Sequence, residues 1–433
     1  MNHTSNMQRT VIRAAIIGCA ALFAMACSSK GNLVNPGDGK EHSDGAAGAS
    51  SVTTDGGGAG TTGVQGMPEG GLILGKGLQG DSGRDASCGN STLSATPPEV
   101  NILLVIDESG SMTTKLEGTS GDKWAAMKSA LGTALAGTAS RISFGLELFP
   151  APADPKKPIA LDCTDNCCEM PTVGDVTVSV ETGATAVPKI MSALDASAPG
   201  GGTPTAEALR RAVDYFTKGA GAKLGGDRYV LLATDGGPDC NTGLTCAASA
   251  CTTNLDGECP LPSGGNCCDA MFGGAAAHSR CLDDGGTTAQ IKALHDAGVR
   301  TFVVGIPGSE AYGTALDAFA EAGGEAQTTG AHKYFAVAAA GGTSALTTAL
   351  STITKGVINT CRLVLGSMPP DLGKLNVSID GVIVPQAGAN GWKVDTSSTP
   401  PAIVLEGSTC ANVEKNGAEK VVVQYGCPTL ITR

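Results

Sequence analysis

After its first thirty residues the sequence has no apolar run approaching the 20 or so residues that a membrane-spanning helix requires. Basic residues are in deficit, 29 Lys and Arg against 41 Asp and Glu, for a net charge of −12. Nucleic-acid surfaces draw most of their affinity from Lys and Arg meeting phosphates, so this balance argues against one. Histidine is scarce as well. Of the five present, His278, His295 and His332 fall in the region expected to fold, and His295 stands among Leu294 and Ala297 as a rim residue would. There is no P-loop. The G-x-S-x-G frame of a nucleophile elbow fails around Ser109. An aspartyl-phosphate site would need a second Asp two residues after Asp107, where Ser109 stands. Catalysis is therefore not expected.

The beginning of the chain has the pattern of an export signal. Arg9 and Arg13 precede the apolar run 14–26, which is too short for a comfortable span and has the length of a signal core. Ala24-Met25-Ala26 is an A-x-A cleavage site, and small residues directly before Cys27 resemble a bacterial lipobox, with Ala24 departing from the preferred Leu, Val or Ile. Residues 1–26 are expected to be removed, which takes the net charge to −14. Acylation at Cys27 would then make an outer-membrane or cell-surface lipoprotein of a Gram-negative bacterium. Plain secretion or a periplasmic location is the alternative. Residues 27–97 are expected to form a lipid-anchored, Gly/Ser-rich flexible linker. Stretches such as GAAGAS and DGGGAG cannot bury enough apolar surface to offset their ordering entropy. About sixty such residues span on the order of 40 Å as a coil.

Sixteen cysteines, less Cys19 and Cys27, leave an even fourteen. They are Cys88, Cys163, Cys167, Cys168, Cys240, Cys246, Cys251, Cys259, Cys267, Cys268, Cys281, Cys361, Cys410 and Cys427. In an exported chain this implies disulfides, with a connectivity that spacing does not reveal. Zinc is the competing reading, but no C-x2-C pairs with a second and no histidine sits at ligand spacing.

From about residue 98 strands and helices alternate. Residues 100–106 (VNILLVI) and 229–234 (YVLLAT) are continuous apolar runs, the mark of strands buried on both faces. Further strands are expected at 142–149, 176–180, 301–306 and 333–337. Helical spacing marks 123–135, 186–194, 205–216, 288–297, 314–322 and 343–353. The expected fold class is α/β: a doubly wound, mainly parallel, Rossmann-like sheet over 98–360, interrupted by a cysteine-rich insertion at 238–286. Residues 361–433 turn to short strands split by turn residues, the pattern of a small disulfide-braced β module.

In a doubly wound sheet, ligands bind beyond the carboxyl ends of strands, at the point where the winding reverses. Asp107 ends the first buried strand and Asp235 follows the strand expected beside it. Thr203 directly follows the glycine-rich stretch 199–202, in the loop that opens a helix. Asp107, Ser109, Ser111, Thr203 and Asp235 therefore converge as oxygen donors, the type that Mg2+ prefers, with too few carboxylates to saturate it. An open position would seek an anionic oxygen. The structural alternative is that these residues cap helices and shape turns.

DESGSM at 107–112, GGTPT at 201–205 and LLATDGGP at 231–238 resemble the three-part metal-ion-dependent adhesion site of von Willebrand factor type A domains. The resemblance covers about residues 98–360. It implies that Ser109, Ser111 and Thr203 ligate Mg2+ (or Mn2+ or Ca2+) directly, with Asp107 and Asp235 supporting them. The layout also resembles exported, cysteine-rich proteins of Gram-negative bacteria such as myxobacteria. The insertion after Asp235 departs from the minimal domain and lies where it could cover the site. The expected function is a non-enzymatic adhesion module whose metal takes an Asp or Glu of a protein partner. It would contact no nucleic acid, and the membrane through its anchor alone. A structural cell-envelope protein with a fold-stabilising or vestigial metal site is the alternative, and a metal-assisted hydrolase a more distant one.

Overall fold

The computed structural model describes residues 91–431 apart from 118, 153, 155, 157–158, 160–166, 172–174, 359–360 and 417–420. The expected signal peptide, Cys27, most of the linker, Cys88 and Cys163 lie outside the described residues.

Two short strands, β1 (Ser91–Leu93) and β2 (Ala95–Thr96), lead into β3 (Val100–Asp107), all eight of whose residues are buried. There follow α1 (Lys123–Ala136), β4 (Ile142–Phe149), β5 (Val178–Thr182), α2 (Gly183–Ala196), α3 (Thr205–Thr217) and β6 (Asp227–Thr234). Short helices α4 (Thr252–Leu255) and α5 (Ala270–Gly273) lie in the insertion. After it come α6 (Asp284–Asp296), β7 (Val299–Gly305), α7 (Gly313–Ala322), β8 (Phe335–Ala336) and α8 (Gly342–Gly356). The sheet order is β5-β4-β3-β6-β7-β8, parallel throughout except for the antiparallel β4–β5 edge. The chain builds outward from β3 through β4 to β5, then returns to start β6 on the other side of β3. The switch point therefore lies between β3 and β6, as the sequence reading expects.

Alternation along β3 feeds two cores. Ile102, Leu104 and Ile106 pack with Trp124, Met127 and Leu131 of α1, Ile190 of α2 and Leu350 of α8. Leu103 and Val105 pack on the opposite face with Leu209 and Phe216 of α3, Leu294 of α6 and Phe319 of α7. Each fully buried Leu or Ile of this kind contributes roughly 1.5–3 kcal/mol, which is why both faces must be covered. β5 lies two residues later than expected, and β8 shrinks to two residues because its single partner β7 pairs at Val304 and Gly305 alone.

The C-terminal part contains β9 (Arg362–Leu365), β10 (Leu375–Ile379), β11 (Val382–Val384), β12 (Trp392–Asp395), β13 (Ala402–Leu405), α9 (Gly407–Asn416) and β14 (Val421–Tyr425). The strands form two four-stranded antiparallel sheets, β1-β14-β10-β11 and β12-β13-β9-β2. Their inner faces share a core around Trp392, Leu363, Val377, Ile403 and Val423. Asp380 and Gly381 both have positive φ and close the β10–β11 hairpin, as a two-residue primed turn demands. Two expectations are corrected here. The linker does not run to 97, because β1 and β2 belong to this sandwich and the α/β domain is inserted into it. Strands of three and two residues carry no pattern of their own and form because partners exist. The module is also not purely β, since α9 is bound to it by the Cys361–Cys410 disulfide.

The insertion has no strand of its own among the described residues. Its interior is sulfur: Cys251, Cys267, Cys268 and Cys281 are buried together, joined as Cys246–Cys281, Cys251–Cys268 and Cys259–Cys267. Cys168–Cys240 ties the insertion to the β4–β5 connection, and Cys167 and Cys427 are disulfide-bonded too. The thiols that cluster closely enough to hold a metal (Cys246, Cys268 and Cys281, or Cys168 and Cys240) are thus spent in disulfides.

Candidate metal centre

Asp107 is the last residue of β3 and has no exposed surface. Its Oδ1 accepts the Ser109 amide at 2.8 Å, the local turn for which Asp is favoured, and its Oδ2 accepts the Thr234 hydroxyl at 2.6 Å. β3 and β6 run in parallel register up to Ile106 and Ala233, so Asp107 and Thr234 are the next pair across the switch point. Beyond Ser109 the chain makes one 3-10 turn, Gly110–Thr113, anchored by the buried Met112. Gly110 donates its amide to the carbonyl of Gly201 at 3.0 Å, and Gly200 donates to that of Glu108 at 2.8 Å. The first motif is thereby stitched to the loop that carries Thr203.

That loop is clamped from behind. Gly201 has φ +79°, and a Cβ there would lie 2.4 Å from the Cys167 carbonyl oxygen. A Cβ on Gly202 would lie 2.8 Å from Cys240 Sγ. Both positions therefore require glycine. Thr203 donates its amide to Asp239 Oδ1 at 2.7 Å, and Asp239 returns its own amide to the Thr203 carbonyl at 2.9 Å. The third segment leaves β6 through Asp235, Gly236 and Gly237. Gly237 packs so closely on Tyr312 that a Cβ would sit 2.3 Å from its ring.

Ser109 Oγ lies 3.0 Å from Ser111 Oγ, and Ser111 Oγ donates to Asp235 Oδ1 at 2.7 Å. Neighbouring ligands of an octahedral ion with bonds of 2.0–2.1 Å are about 2.8–3.0 Å apart, so the two serine oxygens fall within that spacing and the Ser111–Asp235 contact just below it. Thr203 Oγ1 and Ser111 Oγ both lie about 4 Å from the position that a Cβ on Gly236 would take, at 3.9 and 4.0 Å, and so flank one point. Ser109, Ser111, Thr203 and Asp235 line one cleft of about 820 Å³, with Asp107 behind them. The donor set is hard, compact and oxygen-only. It fits a small divalent cation, which would supply an electrophilic centre for an anionic oxygen.

The electrostatics agree with the donor chemistry. Burial, then the nearby charge of Asp235, pushes Asp107 up to about 7, against the hydrogen bonds from Thr234 and Ser109. Burial pushes Glu108 up to about 8, and it accepts a short hydrogen bond from Ser197. Asp239 rises to about 7, again chiefly through burial. In each case the loss of water around the carboxyl is the main cause, and a neighbouring carboxylate adds to it. One cation is already present: Lys123 Nζ bonds Asp235 Oδ2 at 2.7 Å, with side-chain exposures of 10% and 0%.

The insertion forms one wall of the cleft through Thr252, Leu255, Asp256, Glu258, Pro260 and Arg280. Gly308 and Glu310, which follow β7, also line it, and Gly308 donates its amide to Glu310 Oε2 at 2.7 Å. Asp256 accepts the hydroxyl of the buried Tyr312 at 2.7 Å. The insertion borders the expected site and leaves the cleft open.

All five expected residues are brought to the same end of the sheet. Sequence reasoning missed Thr234, Asp239 and Lys123. Thr234 and Asp239 flank Asp235 in and just beyond the third motif, so their position was a usable signal. Lys123 was visible as a charged residue at a helix start, but its partner is distant in sequence.

No protein-family model and no curated protein matches the chain. Solved structures give distant likenesses. A pilus adhesin of Lactobacillus rhamnosus GG is 16% identical, with 78% of this chain and 40% of that one covered at a TM-score of 0.40. The chain thus spans well under half of that adhesin's length. The von Willebrand factor domain of the type V pilus tip protein of Porphyromonas gingivalis is 13% identical, with 61% and 97% covered and a TM-score of 0.35. The manganese-loaded TRAP protein of Plasmodium vivax is 13% identical, with 61% and 78% covered and a TM-score of 0.34. No helix among the described residues is long and apolar enough to cross a membrane.

Proposed function

We propose that this chain is an exported, lipid-anchored adhesion module of the von Willebrand factor type A kind, using an Mg2+-type ion to bind an acidic side chain of a protein partner. The observation that carries the reading is the run of oxygens from Ser109 through Ser111 to Asp235, set at the switch point and open to the cleft. Ser109, Ser111 and Thr203 would ligate the ion directly. Asp107 holds the Ser109 amide and Asp235 holds the Ser111 hydroxyl, so both orient ligands as well as supplying charge. We read the oxygen donor set as one for binding rather than turnover; none of the described residues that line the cleft is a histidine.

Calorimetric titration of Mg2+ or Mn2+ into metal-stripped protein tests the site. Saturable binding that is abolished in Asp107→Ala supports it, and absence of binding by the wild type refutes it. Partner capture on whole cells, with and without EDTA, tests adhesion: a partner retained equally in chelator means that the metal is not the bridge. Cys27→Ser should move the protein out of the membrane fraction, and continued fractionation there would count against acylation.

A further inference from the structure

We infer that Lys123 is a built-in cation of this site, holding one oxygen of Asp235 so that a loaded centre is one unit more positive toward an acidic ligand. The inference rests on the metal reading above.

A buried ammonium needs a partner, and Lys123 has one. It bonds Asp235 Oδ2, while Oδ1 of the same carboxylate faces Ser111 in the run of donor oxygens. The position is built for it. Gly308 has φ +114°, and a Cβ there would lie 2.5 Å from Lys123 Nζ, so the loop after β7 leaves room for the ammonium. The Lys123 amide donates to the Thr114 carbonyl at 3.0 Å, and Asp122 caps α1 by accepting from the Ala125 amide at 2.7 Å. Lys123 is thus the first residue of α1. A cation there meets the positive end of the helix dipole, where an acidic residue is the favoured choice. Departures from local rules without a local gain mark functional positions.

Charge counting gives the consequence. Asp107 and Asp235 carry two negative charges, and Lys123 returns one. A divalent ion then brings the cluster to +1, whereas without Lys123 it would come to zero. Lys123 therefore weakens the hold on the metal and strengthens the pull on a carboxylate. The rim acids Asp239, Asp256, Glu258 and Glu310 add negative charge to the same cleft, and Lys123 shifts the total by one unit whatever that background is.

The test uses the full, disulfide-intact chain stripped of metal, as wild type, Lys123→Met and Lys123→Arg. Mn2+ affinity is read by calorimetry and by the Mn2+ electron paramagnetic resonance signal. Acetate binding to the loaded site is read by Mn2+-induced relaxation of its methyl protons. Lys123→Met should bind Mn2+ about tenfold more tightly, the order expected from removing a unit charge beside a double one even at water's dielectric. It should bind acetate several-fold more weakly, and Lys123→Arg should resemble the wild type in both. If Lys123→Met does not fold, Lys123→Gln, whose amide can still donate to Asp235, takes its place. A folded neutral variant with unchanged or weaker Mn2+ affinity, or with undiminished acetate binding, overturns the inference. If the wild type takes no Mn2+ but the neutral variant does, the metal reading of the native chain falls and the cation role of Lys123 stands. If neither binds, both fall.

Discussion

Replacing Arg211 with methionine should destabilise the α/β domain by about 3–5 kcal/mol near neutral pH, the cost of stranding one member of a buried ion pair. Arg211 on α3 donates through Nε to Glu147 Oε1 at 2.5 Å, with side-chain exposures of 7% and 1%. Its other nitrogens reach the carbonyls of Pro171 and Asp175, so it also pins the β4–β5 connection. Thr177 donates its amide to Glu147 Oε2 at 3.0 Å. Burial pushes the Glu147 carboxyl above its ordinary range, and Arg211 draws it back down. Removing Arg211 leaves the upward push unopposed by any cation. A carboxyl raised in the folded state favours folding below its unfolded pKa and loses that contribution as pH rises through its folded pKa. The penalty of Arg211→Met should therefore be smaller at about pH 5 than at about pH 8. Equilibrium urea unfolding under non-reducing conditions at the two pH values measures it. The double variant Arg211→Met, Glu147→Leu should recover most of the loss, because apolar groups of similar volume replace a buried pair at little cost. A single-variant cost below about 1 kcal/mol, the range of exposed pairs, would refute the burial argument. A penalty independent of pH would refute the stranded charge.

Mn2+ at a hundredfold excess over its dissociation constant should stabilise the protein by about 2.7 kcal/mol, reversed by EDTA; a melting curve indifferent to both counts against the site. Cys168→Ser with Cys240→Ser opens a disulfide spanning 72 residues, which should cost about 4 kcal/mol in chain entropy. The same double variant should weaken Mn2+ binding by loosening the loop of Thr203, and calorimetric affinity equal to wild type would show that the loop does not need the clamp. Trp392→Ala removes a fully buried ring whose Nε1 donates to the Val384 carbonyl at 2.8 Å. It should cost the sandwich about 3–5 kcal/mol in denaturant unfolding while leaving Mn2+ affinity unchanged. Loss of that affinity would mean that the sandwich and the metal centre are coupled.

The α/β sheet was legible because its buried strands announce themselves. VNILLVI and YVLLAT are apolar on both faces, and a run of that kind has no stable place except inside a parallel sheet covered by helices. Asp107, Ser109, Ser111, Thr203 and Asp235 could be assembled from sequence for a related reason, since each sits beside a strand end or helix start that the pattern locates. The short strands β1 and β2 were not legible. Their five residues carry no alternation, and they fold by pairing with β14 and β9, which lie more than 260 residues further along the chain. The disulfide partners were hidden likewise. Cys168 and Cys240 meet because β4 and β6 both flank β3, a fact of topology that no spacing encodes.

Lys123 belongs to a third category, a residue inside a correctly placed helix whose own role no local pattern marks. As the opening residue of an amphipathic helix it counts as a solvated charge, yet it is among the buried polar residues of the structure. Three other departures gather at or beside the same cleft. Glycines 201, 202 and 237 stand where any side chain would collide with backbone, sulfur or ring. Asp107 and Asp239 are carboxyls buried far enough to rise to about 7. Cys240 has φ +74°, a conformation that a non-glycine residue adopts at a cost. Each lowers stability when taken alone, and a sequence optimised for folding would have replaced them with an acidic helix start, apolar side chains and relaxed turns. Their concentration at one strand-end crevice is what a site shaped by binding should leave behind, because the same features position oxygens and charge that a well-packed core would exclude.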